Sequence, residues 1–119
     1  MTGTCKHCIF VVDDEEIISS TLGLILRTQG FDAVSFTKPL EALQAASSQA
    51  PELLISDVAM PQLSGIDLAI QVQESCPDCK ILLFSGQATT ADLLETARSN
   101  GHLPRQLLLR FDLYGVGPP

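Results

Sequence analysis

Apolar residues fall in short runs separated by stretches of a different period. Ile9-Phe10-Val11-Val12 is an unbroken run of β-branched and aromatic side chains that stops at Asp13-Asp14, the pattern of a buried strand. From Glu15 to Gln29 the period lengthens: Ile18, Leu22, Ile25 and Leu26 recur at helical spacing, acids stand in the first turn, and Gly30 follows as a C-terminal cap. Residues 31 to 36 predict a second strand. Thr37 is placed to cap a helix reaching about Ser48, with Pro39 tolerated in its first turn. The alternation then repeats: a strand over Glu52 to Asp57, a helix from Gly65 to about Ser75, a strand from Lys80 to Ser85, and a helix from Thr90 to Asn100 ahead of Gly101.

Strands alternating with helices predict a parallel sheet with helices on both faces, because right-handed crossovers place them there. Ligands of such sheets bind beyond the carboxyl ends of the strands. Three of those ends carry chemistry here: Asp13-Asp14, Asp57 and Ser85-Gly86. If the first, third and fourth strands are neighbours, Asp13, Asp14 and Asp57 converge. Like charges that close raise one another's pKa unless a cation sits among them. Carboxylates, a backbone carbonyl and water make an all-oxygen set that suits Mg²⁺.

Composition narrows the setting. The 119 residues make one ordinary domain, with no linker or low-complexity tract, and no run approaches the roughly 20 apolar residues of a membrane span. A net charge of −7 weighs against direct contact with nucleic-acid backbones or anionic membranes, which depend on an excess of Lys and Arg. The first eight residues read as a short extension without the apolar length of a secretion signal, so a cytoplasmic protein is expected.

Taken in order and spacing, "VVDDEE" (11 to 16), "LLISDVAMPQLSG" (53 to 65) and "LLFSG" (82 to 86) resemble the receiver domain of two-component response regulators, over residues 9 to about 102. The resemblance implies a flavodoxin-like, doubly wound five-stranded sheet of order 2-1-3-4-5. It also implies that Asp57 accepts a phosphoryl group from a sensor histidine kinase or phosphotransfer protein. On the same footing, Asp14 and Asp57 would bind Mg²⁺ directly, the backbone carbonyl of Ala59 would be the third protein ligand, and Asp13 would act through a metal-bound water. Ser85 would be the switch hydroxyl that turns to the new phosphoryl oxygen and alters the binding of a downstream protein. Such a domain is a switch, not an enzyme of turnover.

The chain departs from this pattern at its C-terminal end. Where the family has a fifth strand ending in Lys-Pro, "QLLLRFDLYGVGPP" offers Arg110-Phe111 after Leu107, Leu108 and Leu109, so Arg110 is the candidate replacement for the lysine. An arginine brings permanent charge and a planar fork where the lysine brings a point charge. Glycine and proline after residue 114 oppose the expected final helix, which makes residues 111 to 119 an atypical tail of a single receiver domain. Leu109, Phe111 and Leu113 alternate with polar neighbours, so the strand is expected to run to about Tyr114 as an open edge that promotes homodimers. A concentration-independent monomer in sedimentation contradicts that expectation. The same departures motivate a second reading, a pseudo-receiver that acts as a phosphorylation-independent assembly module.

Cys5, Cys8, Cys76 and Cys79 form two C-x2-C pairs, each ahead of a strand and at the end of the sheet opposite Asp57. Four thiolates can hold a structural zinc, but the long separation of the pairs exceeds ordinary finger spacing, and buried cytosolic cysteines are commonly plain reduced thiols.

Overall fold

A computed structural model describes residues 7–85 and 112–115, with side chains for 7–84. Its element order is β1 (Cys8–Val12), α1 (Glu16–Thr28), β2 (Asp32–Phe36), α2 (Pro39–Ser48), β3 (Leu53–Asp57), α3 (Gly65–Ser75), β4 (Lys80–Ser85) and β5 (Asp112–Gly115). The strands form one sheet of order β2-β1-β3-β4-β5, and every neighbouring pair is parallel. The parallel sheet is the one that the alternation of elements predicts, and its order is the flavodoxin-like one that the resemblance implies. The expected fourth helix, the residues from 107 to 111 and the tail beyond Gly115 lie outside the described residues.

Alternation along the strands divides the interior into two layers. Phe10, Val12, Leu54, Ile81 and Leu83 face one side and pack with Ala42 and Ala46 of α2 and Ile66, Ala69 and Val72 of α3. Ile9, Val11 and Ala33 face the other and meet Leu22 and Leu26 of α1. Burying each large apolar side chain contributes about 1.5–3 kcal/mol, so the larger layer supplies most of the stabilisation.

The inward face of α1 differs from the one its large apolar residues predict. Ile18 and Ile25 are 37% and 51% exposed, whereas Ser19 and Gly23 are buried. The cause is a close approach to β2: a Cβ on Gly23 would run into the Ser35 Oγ, which donates a 2.7 Å hydrogen bond to the Ser19 carbonyl. Small residues bring the helix against the strand and turn the two isoleucines outward. Its C-terminus follows expectation. Gly30 has φ of +95°, its N–H donates to the Arg27 carbonyl and that of Phe31 donates to the Leu26 carbonyl, both at 3.1 Å, closing a Schellman motif.

Element boundaries also shift. Lys38 is the N-cap of α2 and makes no side-chain capping bond, so Thr37 does not cap the helix; Pro39, with its fixed φ and missing N–H, opens the first turn instead. Strand β3 begins at Leu53, and Glu52 just before it is held by its backbone between β1 and β4, its N–H donating to the Cys8 carbonyl and its carbonyl accepting from the Lys80 N–H.

Candidate metal and phosphoacceptor site

The site is built where β1 and β3 end side by side. Val12 is level with Ser56, so the next residue of each strand, Asp13 and Asp57, emerges at one height with Asp14 beyond. Oxygen atoms of Asp13, Asp14 and Asp57 all lie within 4.8 Å of one another. Among the described residues this is the one cluster of three or more His, Cys, Asp or Glu side chains that could hold a metal ion.

Each carboxylate is fixed differently. Asp13 is 1% exposed; its backbone N–H continues the ladder to the Phe36 carbonyl at 3.1 Å, and its Oδ1 accepts from the Glu15 N–H at 2.9 Å. Burial raises its pKa, the Glu15 amide opposes this, and the charge of Asp14 adds to the rise. Asp14 is exposed. Asp57 is half-buried, with Oδ1 accepting a long 3.3 Å bond from the Ala59 N–H. Its pKa is pushed up to about 6, first by burial and then by the charge of Asp13. A divalent cation among these oxygens relieves both the lost hydration and the mutual repulsion. The donor set is hard and all oxygen, which fits Mg²⁺.

The loop leaving Asp57 is pinned at its base. Val58 N–H donates to the Phe84 carbonyl at 2.9 Å, and Gly65 N–H donates to the Val58 carbonyl at 2.9 Å. Ser64 caps α3, its Oγ accepting from the Asp67 N–H at 3.2 Å and donating to the Asp67 Oδ2 at 3.0 Å. Gln62 takes a positive φ of 73° in the turn between. Helix α3 thereby starts so near β3 that a Cβ on Gly65 would collide with the Asp57 backbone carbonyl. Periodicity marks Gly65 only as the start of a helix; its contact with Asp57 depends on the fold.

The remaining candidates are placed as follows. Ala59 is exposed on the loop next to Asp57. Ser85 ends β4, one residue past Phe84, the register partner of Asp57, and its side chain lies outside the described residues. Arg110 also lies outside them; the residue of β5 level with Ser85 is Gly115. Cys8, Cys76 and Cys79 are buried in the α2–α3 layer, and Cys5 is not described. Burial raises the Cys76 thiol, and burial followed by the neighbouring Cys76 pushes Cys79 up to about 12, which disfavours the thiolates zinc requires. The described cysteines form no metal-holding group, so a zinc site, already disfavoured by the spacing of the pairs, finds no support.

A family model described as the response regulator receiver domain matches residues 9–103. Among curated proteins, the transcriptional regulatory protein CreB of Escherichia coli is 30% identical over 89 residues, 75% of this chain and 39% of CreB. The alkaline phosphatase synthesis transcriptional regulatory protein PhoP of Bacillus subtilis is 38% identical over 79 residues, 66% of this chain and 33% of PhoP. The chain thus spans well under half the length of these relatives. Among solved structures, the response regulator protein TrrA of Thermotoga maritima, in complex with Mg(2+)-BeF, superposes with a TM-score of 0.69 at 29% identity, covering 93% of this chain and 86% of that one. The chemotaxis protein CheY4 of Vibrio cholerae, at 21% identity and a TM-score of 0.68 over 86% of this chain and 92% of its own, shares the fold.

Proposed function

Because the chain belongs to the response regulator receiver domain family, we propose that it is a phosphoacceptor switch whose reacting atom is a carboxylate oxygen of Asp57. The observation that carries this reading is the convergence of Asp13, Asp14 and Asp57 at the carboxyl ends of β1 and β3. Asp14 and Asp57 would hold Mg²⁺ directly with the Ala59 carbonyl, and Asp13 through a bound water. When bound, the ion screens the negative charge between carboxylate and incoming phosphoryl group, which together with positioning is most of what phosphoryl transfer requires.

An oxygen of Asp57 attacks phosphorus as the bond from phosphorus to the donor's histidine nitrogen breaks. The nitrogen keeps the electron pair and Asp57 becomes an acyl phosphate. No general base is needed, since the nucleophile is an anion. Ser85 would then donate its hydroxyl to a phosphoryl oxygen and carry the change into β4, and Arg110 is the candidate countercharge. The donor would be a sensor histidine kinase or phosphotransfer protein in the cytoplasm, and the readout the altered binding of a downstream protein. CreB and PhoP are transcriptional regulatory proteins, so an output at DNA would come through a partner or through sequence outside this receiver unit. The pseudo-receiver reading finds no support, because all three acids are present and converge.

Acetyl phosphate with Mg²⁺ tests the proposal. Intact mass is expected to rise by one phosphoryl group, mapped to Asp57 and lost in Asp57→Asn. An unchanged mass, or a group on another residue, contradicts it.

A further inference from the structure

We infer that Ser56 is a positioning residue for the phosphoacceptor: its buried hydroxyl, closed over by the bare Cα of Gly65, fixes the peptide that follows Asp57 and so aims the carboxylate at its two partners. The inference rests on the phosphoacceptor reading for its purpose, but the geometry stands without it. Ser56 is 0% exposed and shares its face of the sheet with Leu54. A hydroxyl on such an apolar face is costly to bury unless it is bonded, and an alanine would fill the position with no such penalty. The Ser56 Oγ donates at 2.9 Å to the carbonyl of Asp57 itself.

That bond completes a clamp. The peptide between residues 57 and 58 is held by its carbonyl through Ser56 and by its N–H through the Phe84 carbonyl at 2.9 Å. Both ends of one peptide plane being fixed, rotation about the Cα–C bond of Asp57 is restricted, and with it the direction of the Cα–Cβ bond from which the carboxylate extends. Gly65 covers the same carbonyl so closely that a Cβ there would also stand 2.9 Å from the Ser56 Oγ. A small hydroxyl and a missing side chain therefore share one gap. Mg²⁺ tolerates little departure from octahedral geometry, and groups that only orient its ligands typically change affinity about 10- to 100-fold.

Ser56→Ala is compared with wild type and with Ala69→Gly, a control in the buried face of α3 that loosens the fold away from the acids. Magnesium titrations well below the melting temperature are expected to show about tenfold weaker binding in Ser56→Ala and an unchanged Kd in Ala69→Gly. Amide hydrogen exchange without metal is expected to quicken severalfold at Ala59 and Gly65 of Ser56→Ala while the β1 amides keep their rates. Wild-type magnesium affinity in Ser56→Ala overturns the inference. Should the wild-type protein bind no magnesium, the phosphoacceptor reading falls instead, and the exchange rates alone decide: unchanged protection at both amides overturns the role of Ser56.

Discussion

Gly65→Ala is expected to lower stability by about 3 kcal/mol, the top of the usual range for overpacking. The new Cβ would meet the carbonyl oxygen and carbon of Asp57 and the Ser56 Oγ. Two of these are backbone atoms of a paired strand and cannot swing aside. Relief requires α3 to move away from β3, which would also displace Asp57. Gly30→Ala is the comparison: its φ of +95° disfavours a side chain, but a Cβ there meets nothing within 4 Å, so about 1 kcal/mol is expected. Denaturant midpoints at constant m-value check the order. A Gly65→Ala protein as stable as wild type would mean that α3 does not press on the strand that ends at Asp57.

Asp57→Asn is expected to stabilise the metal-free protein near neutral pH, by about 1 kcal/mol after discounting the shift for solvent screening at a half-buried carboxylate. Its folded-state pKa is about 6 against an ordinary 3.8, raised first by burial and next by Asp13. Above pH 6 both folded and unfolded chains carry the charge, and the folded state bears the extra cost of holding it. Between 6 and 3.8 the folded protein takes up a proton that the unfolded chain does not, so stability rises as pH falls through this window and levels off below it. Asp13, also raised, adds in the same sense. Thermal melts of the metal-free wild type should therefore improve on mild acidification, and those of Asp57→Asn less so. With magnesium bound the advantage reverses, because the ion favours the ionised form. A metal-free Asp57→Asn less stable than wild type at pH 7.5 would contradict the proposed crowding of charge.

Much of this arrangement is visible in the sequence because acids punctuate apolar runs. Asp13 follows four apolar residues directly and Asp57 follows three with only Ser56 between, and the alternation of short apolar runs with helical periodicity places both at the same end of a parallel sheet. The residues that the pattern misplaces are small ones. Large apolar residues suggest that Ile18 and Ile25 face the sheet, but Ser19 and Gly23 permit an approach close enough to turn the helix. Ser56 reads as a polar break and Gly65 as a helix start, since their shared contact with the Asp57 carbonyl joins two elements that only the folded chain brings together. Side-chain size predicts burial, whereas the absence of a side chain acquires meaning only from what lies opposite.

The most direct test is a magnesium titration of the unphosphorylated protein, followed by calorimetry at several pH values. One ion per chain is expected, with affinity rising as pH passes up through about 6 and lost in both Asp13→Asn and Asp57→Asn. A protein that takes up no magnesium, or binds it equally well with either aspartate replaced, would contradict the account.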